Sequence, residues 1–427
     1  MKLNYKRTFF VGMAFMSITA FWQLYDNIIP LILQNNFGLG ETLTGGIMAV
    51  DNILALFLLP FFGALSDRVD TRLGKRTPFI IGGTAIAVVL MMIIPYATKT
   101  TNFPLFFVSL GLVLIAMGSY RSPAVALMPD LTPKVHRSSA NAVINLLGAV
   151  GGITTLLFIR LLVPAGSLPD YTRLFLAVAI FMVTAVVILL TTIKEKKLLN
   201  EIVDSPEYTD EQEIAESQEI TSHMPKEVKR SLYFILASIF LWFTAYNAVT
   251  TAFSRYATRV WGMEGGSFAS ALMVATGAAI VSYIPIGFIS SKIGRKKTII
   301  IGILTMSTSY FFGYFFLEPS PMINVVFAFT GFGWAAINVN SYPMVVEMSK
   351  SGDIGKYTGL YYTFSMAAQV FTPIFSGFLL ENISYRTLFP YAVTFSLLSL
   401  CTILFVKHGD SKPPKKKSAL DNFDLED

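Results

Sequence analysis

Charge is scarce in this chain. Only 14% of its 427 residues are Asp, Glu, Lys or Arg, against 53% hydrophobic, and the mean hydropathy is +0.58. A soluble globular protein of this size is excluded by that balance, and the bilayer becomes the expected solvent. The single cysteine, Cys401, lies inside an apolar run, which excludes a disulfide framework and a thiolate metal centre. The three histidines, His136, His223 and His408, all fall in polar segments, so no histidine relay crosses the apolar part. No nucleophile, metal or phosphate constellation stands out, and neither an enzyme nor a cofactor is expected.

Long apolar runs are what the sequence has in abundance. A hydrocarbon core of about 30 Å takes roughly 20 helical residues to cross, and twelve runs of that order are present. In the first half they are approximately Phe9 to Leu33, Gly45 to Ser66, Pro78 to Ala97, Pro104 to Met128, Ser139 to Val163 and Thr172 to Ile193. In the second they are Ser231 to Phe253, Ser267 to Ser290, Thr298 to Leu317, Met322 to Val346, Tyr357 to Leu380 and Leu388 to Val406. The expected organisation is an amino-terminal six-helix bundle over 1–193, a polar cytoplasmic linker over 194–230, a second bundle over 231–406 and a cytoplasmic tail over 407–427. An even number of spans puts both ends on one side. Roughly 26 of the 33 basic residues fall on that side, so both termini are expected in the cytoplasm and the location is expected to be the plasma membrane. The net charge of +6 follows from this anchoring and does not point to nucleic acid. A monomer is the expected state.

A charged loop occurs twice between apolar runs. The first copy holds Gly63, Asp67, Arg68, Gly74, Lys75 and Arg76; the second holds Gly287, Ser291, Gly294 and Arg295 to Lys297. Asp130 and Glu347 end the fourth and tenth runs at matching positions. Two related six-helix halves account for the repetition. Polarity sorts the helices further, because a polar side chain facing lipid is penalised and one facing a cavity is not. The third and sixth runs lack Asp, Glu, Asn, Gln, Lys and Arg, and the ninth and twelfth offer little beyond Ser and Thr, so these four can face lipid. The others carry Gln23, Asp26 and Asn27, then Asp51 and Asn52, Arg121, Asn141 and Asn145, and in the second half Tyr246, Asn247, Tyr283, Trp334, Asn338, Asn340 and Gln369.

The pattern resembles the major facilitator superfamily, whose loop signature, roughly G-x-x-x-D-R-x-G-R-R, is matched by Gly63, Asp67, Arg68, Gly74, Lys75 and Arg76 apart from extra residues before the second glycine. The form from Ser66 to Phe79, together with Arg121, Asp130 and Ala140-Asn141-Ala142, is similar to the sucrose-proton and glycoside-cation symporter branch. The resemblance implies an all-α fold of twelve transmembrane helices in two pseudo-symmetric bundles. It also implies a cytoplasmic gate built from Gly63, Asp67, Arg68, Gly74, Arg76, Asp130, Gly287, Gly294, Arg295 and Glu347. The second loop has Ser291 where the first has Asp67.

One charge at mid-bilayer costs about 2.5–3.5 kcal/mol on insertion scales, so Asp26, Asp51 and Arg121 unpaired would cost roughly 8 kcal/mol. A bound cation, a neighbouring arginine or protonation has to offset that. Both acids lie about 10 Å from the outer end of their spans, and neither has an acidic counterpart in the second half. Asp26 and Asp51 are therefore the candidate cation-coupling residues. Helix capping or a bond to a neighbouring asparagine is the bland alternative. Gln23, Asn27, Arg121, Asn145, Asn247, Trp334 and Asn338 are the candidate substrate-binding residues, through hydroxyl hydrogen bonds and stacking on a sugar face; packing is the bland alternative for each. Sodium needs several converging oxygens, and where melibiose-type sodium sites place acids this chain has Ala55 and Leu59. The coupling ion is expected to be a proton.

The expectation is a secondary carrier taking a small polar solute, a sugar or glycoside, by proton-coupled symport with alternating access. Two alternatives remain. One is a proton-coupled exporter of amphipathic compounds, to which Gly148 to Gly152 bears a partial likeness. The other is a non-transporting membrane sensor, which finds no soluble signalling domain here. ATP-driven transport lacks its glycine-rich lysine loop.

Overall fold

The computed structural model describes residues 4–132, 137–166, 168–203, 225–348 and 354–410. Among them every regular element is helical, and the only ladder pairing is an isolated bridge between Thr71 and Gly74. The physical reason is the bilayer: a helix satisfies its own backbone donors and acceptors where no water can.

In the first half α1 spans Tyr5–Asn35, α2 Glu41–Arg68, α3 Thr77–Lys99, α4 Phe103–Asp130, α5 Arg137–Leu162 and α6 Thr172–Thr192. A short helix α7, Glu195–Val203, follows. The second half has α8 at Lys226–Trp261, α9 at Ala269–Ile293, α10 at Arg295–Gly313, α11 at Met322–Val346, α12 at Ile354–Asn382 and α13 at Leu388–Leu404. Eleven of these helices are long and apolar enough to cross a membrane. The ninth expected span is present as α10, a 19-residue helix that opens on Arg295-Lys296-Lys297 and is not counted among the eleven. The helix α8 begins at Lys226, within the polar segment read as the linker and one turn before the apolar run that opens near Ser231. Most of the acidic linker middle and the tail beyond Asp410 lie outside the described residues.

Local sequence sets the ends. The Asn4 side chain accepts from the Arg7 amide at 3.0 Å, and that of Asn102 from the Leu105 amide at 3.1 Å, with Pro104 in the first turn of α4. Within the spans, hydroxyls turn inward on their own helix: Thr184 Oγ1 donates to Ile180 O and Thr305 Oγ1 to Ile301 O. This lets threonine sit in lipid without an orphan donor.

The chain divides into two compact units. The first comprises residues 1–39, 50–214 and 264–269. In it α1 packs on α5, α6 and α4, and α3 packs on α4 and α6. A Cβ on Gly151 would lie 2.2 Å from Met16 O, so the glycine run of α5 serves its close approach to α1. The second unit comprises 40–49, 215–263 and 270–427, with α8 on α13 and α12, and α10 on α11 and α13. Ser238 and Thr402 hydroxyls meet at 2.7 Å across α8 and α13, and Ser307 and Ser396 at 2.6 Å across α10 and α13. Of the eleven, α2 and α9 are the least buried.

Candidate functional site

Three charged side chains sit inside the spans of the first unit. Asp26 on α1, Asp51 on α2 and Arg121 on α4 are each half-buried. Arg121 lies within electrostatic range of both carboxylates, and the carboxylates lie within range of each other. The Arg121 guanidinium stands 5.5 Å from the Trp22 ring centroid, a cation–π contact. Asp51 Oδ1 accepts from Asn52 Nδ2 at 2.8 Å. The two acids and the arginine named from sequence are thus one cluster, and a single arginine is set against two carboxylates. Such a site can hold both acids ionised only with a further positive charge, so it has the chemistry to take up a proton.

The polar side chains around it are more self-engaged. Asn27, 2% exposed, donates from Nδ2 to both Gln23 O at 3.0 Å and Gln23 Oε1 at 3.2 Å. Gln23 and Asn27 are therefore tied to each other along α1. Asn145 donates to Asn141 Oδ1 at 3.1 Å, and both are exposed on α5.

In the second unit Trp334 on α11 stacks on Tyr246 of α8, centroids 3.7 Å apart and planes within 6°. Phe243 meets the edge of Trp334 at 5.2 Å and Tyr361 at 6.4 Å, which carries the aromatic surface on to α12. Asn338, exposed one turn beyond Trp334, bonds the Tyr283 hydroxyl of α9. Asn247 Nδ2 is buried without a hydrogen-bond partner among the described residues. The surface offers apolar ring faces beside amide donors and acceptors, which can take both stacking and hydrogen-bonding contacts.

At the loop ends the geometry is dense. Arg76, 6% exposed, donates from Nε to Asp130 Oδ2 at 2.8 Å, from Nη1 to Ser66 Oγ and to Gly63 O at 3.4 Å, and from Nη2 to Asp67. Burial works against its charge, but the Asp130 and Asp67 carboxylates outweigh it and raise its pKa. Gly63, Asp67, Arg76 and Asp130 thus share one clamp, whereas Arg68 is exposed. Arg295 pairs with Glu347 in the second unit, and Gly287 O accepts from Ser290 Oγ at 3.1 Å.

Two acids that sequence reasoning passed over complete these loops. Glu195, 1% exposed, accepts from the amides of Lys75 at 2.7 Å, Arg76 at 2.9 Å and Thr77 at 2.8 Å, and from the Thr77 hydroxyl at 2.7 Å. It caps the N-terminus of α3 from the start of α7. Asp410 does the same for α10, accepting from the Lys296 amide at 3.1 Å. Each sits against the loop glycine. Gly74 has φ +118° and Gly294 φ +97°, and a Cβ there would lie 2.3 Å from Glu195 Cδ or 3.0 Å from Asp410 Oδ1. Both acids follow closely on the last apolar helix of their half, and that shared position is the signal that could have found them.

A further missed pair lies at the opposite ends of the helices. Arg255 Nε donates to Glu41 Oε2 at 2.8 Å, with side chains 3% and 2% exposed. Arg255 Nη1 also donates to Thr251 O at 2.8 Å, and Thr42 N donates to Glu381 Oε2 at 2.7 Å.

Comparison with known proteins follows this geometry closely. The family model described as Major Facilitator Superfamily matches residues 10–284 and 261–424. The sucrose transport protein SUC3 of Arabidopsis thaliana is 26% identical over 151 residues, 31% of this chain and 25% of that protein, so the match spans about a quarter of the relative's length. Two solved structures share the fold end to end. One is the xylose transporter XylE from E. coli, at 16% identity with 98% of each chain covered and a TM-score of 0.66. The other is a D-xylose-proton symporter, at 15% identity with 95% of this chain and 98% of that one covered and a TM-score of 0.68. With a family model matched along nearly its whole length and a fold of the same architecture, the chain belongs to the Major Facilitator Superfamily and is a multi-pass membrane protein.

Proposed function

We propose that this carrier imports a sugar or glycoside by symport with a proton through alternating access. The observation that carries the reading is the cluster of two membrane carboxylates, Asp26 and Asp51, with Arg121 in range of both, all in the first unit. Two acids against one arginine leave one negative charge to be offset in a low-dielectric site. A proton does this with one carboxylate and no constellation of ligands, and among the described residues no group of three or more His, Cys, Asp or Glu could hold a metal ion. The names of the sucrose transport relative and of the xylose-proton symporter support a sugar and a proton.

Substrate contacts fall to Arg121 and the amides Gln23, Asn27 and Asn145 in the first unit, and to Trp334, Asn247 and Asn338 in the second. The Arg76 clamp and the Arg295–Glu347 pair act as the cytoplasmic gate, breaking and reforming once per cycle. The protein sits in the plasma membrane as a monomer with both termini in the cytoplasm.

Proteoliposomes with imposed proton or sodium gradients, offered a panel of mono- and disaccharides, test the reading. Proton-driven uptake of at least one sugar is expected, with Asp26→Asn and Asp51→Asn abolishing accumulation while exchange without a gradient persists. Unchanged gradient coupling in both variants would refute it.

A further inference from the structure

Tyr25 lies beside the acid pair and has no place in the reading above. Its side chain is 1% exposed, with the ring packed on Phe21 at 6.0 Å and edge-on to Trp22 at 5.4 Å. Its hydroxyl is fully buried and has no hydrogen-bond partner among the described residues. The phenol is within electrostatic range of both Asp51 and Asp26. A buried phenolic O–H without an acceptor is costly, and buried polar groups are nearly always satisfied. Asp51 and Asp26 are the charged acceptors whose field reaches it, and their capacity to accept depends on whether a proton occupies them.

We propose that Tyr25 is a third member of the proton site: its hydroxyl donates to the carboxylate of the Asp26–Asp51 pair once the proton has left, and so holds the ionised state. Tyr25 keeps its own proton throughout; the transferred proton moves between carboxyl and water. A hydrogen bond to an ionised acceptor is about twice as strong as one between neutral groups, so the hydroxyl favours release over uptake. This assignment rests on the proton-coupling reading.

The titratable groups around Tyr25 come from five helices. Within α1 and α2 they are Asp26 and Asp51, with Tyr5, Lys6, Arg7, Glu41, Asp67 and Arg68 confined to the helix ends. On α4 they are Arg121, which acts on both acids, and Tyr120, whose hydroxyl is already spent on Ala14 O at 2.9 Å. The helices α5 and α6, packed on α1, carry titratable groups only at their ends, Arg137, Arg160 and Arg173. Among these groups only Tyr25 offers a buried neutral hydroxyl donor still unspent.

Infrared titration of the purified full-length protein reads the site without needing a substrate. The carboxylic-acid carbonyl band should fade with rising pH in the wild type and be reduced in Asp26→Asn or Asp51→Asn. In Tyr25→Phe, which keeps the ring contacts, the midpoint should move up by about one pH unit, a tenfold change in the protonation constant. Wild-type protein with ring-labelled tyrosine gives a second measurement free of any folding defect: one tyrosine C–O stretch should shift across the same pH step. A midpoint unmoved in Tyr25→Phe, or no tyrosine band that follows the step, overturns the assignment and leaves the carboxylate reading standing. A wild type in which neither aspartate contributes a titrating band overturns both.

Discussion

Replacing Arg255 alone should cost far more stability than replacing it together with Glu41. The two side chains meet at 2.8 Å and are 3% and 2% exposed, so water screens neither. Removing one partner strands an uncompensated buried charge, at a cost of about 3–5 kcal/mol. Removing both and filling the space with apolar groups of similar volume is close to neutral, because the desolvation of two ions vanishes with their attraction. Arg255→Met should therefore lower the thermal midpoint by on the order of 10 °C, taking roughly 2–4 °C per kcal/mol. Glu41→Leu should do likewise, and the double substitution should recover most of the loss. Tryptophan fluorescence during heating is a suitable readout, since Trp261 lies in the same unit, six residues from Arg255, and its Nε1 donates to Phe316 O at 2.9 Å. Single variants within about 2 °C of wild type, or a double variant no better than the worse single one, would show that the pair is solvated and refute the burial argument. A recovered double variant that folds but transports poorly would place the pair's value in the transport cycle rather than in stability.

Glu195→Ala should remove the α3 cap and several charge-assisted bonds, lowering the thermal midpoint by several degrees, with Glu195→Gln intermediate. Gly74→Ala should be as damaging in the wild type and clearly less so in a Glu195→Ala background, where the contested space is open; equal penalties in both backgrounds would mean that the positive φ alone matters. Hydrogen bonds from the Thr172 side chain and amide hold the Asp170 carboxyl below its ordinary value of 3.8. A depressed folded-state value means that its small stabilisation is fully present above pH 3.8 and is lost as pH falls through the folded value. The acid limb of a stability profile should flatten slightly in Asp170→Asn, and an unchanged limb would refute the contribution of the Thr172 hydrogen bonds.

Apolar length, glycine punctuation and the sidedness of lysine and arginine were enough to specify twelve helices in two related halves, because the bilayer leaves a chain few ways to satisfy its backbone. The same physics made Asp26, Asp51 and Arg121 conspicuous, since each is expensive where it stands. Sequence also offered Asp130 and Glu347, through the repeat, as acids for Arg68, Arg76 or Arg295, and it is the structure that pairs Arg76 with Asp130 and Arg295 with Glu347. What it could not supply was which polar groups converge from distant positions. Glu195 reads as one more charge in a polar linker, yet tertiary structure buries it against Gly74 and three backbone amides. Glu41 and Arg255 are 214 residues apart and look like ordinary interfacial charges until packing removes their water. Tyr25 looks like any aromatic on an apolar helix, and only the fold sets its unpartnered hydroxyl beside two acids. Periodicity and transfer cost are local properties of a chain, whereas desolvation of a pair depends on what the rest of the molecule brings to its side.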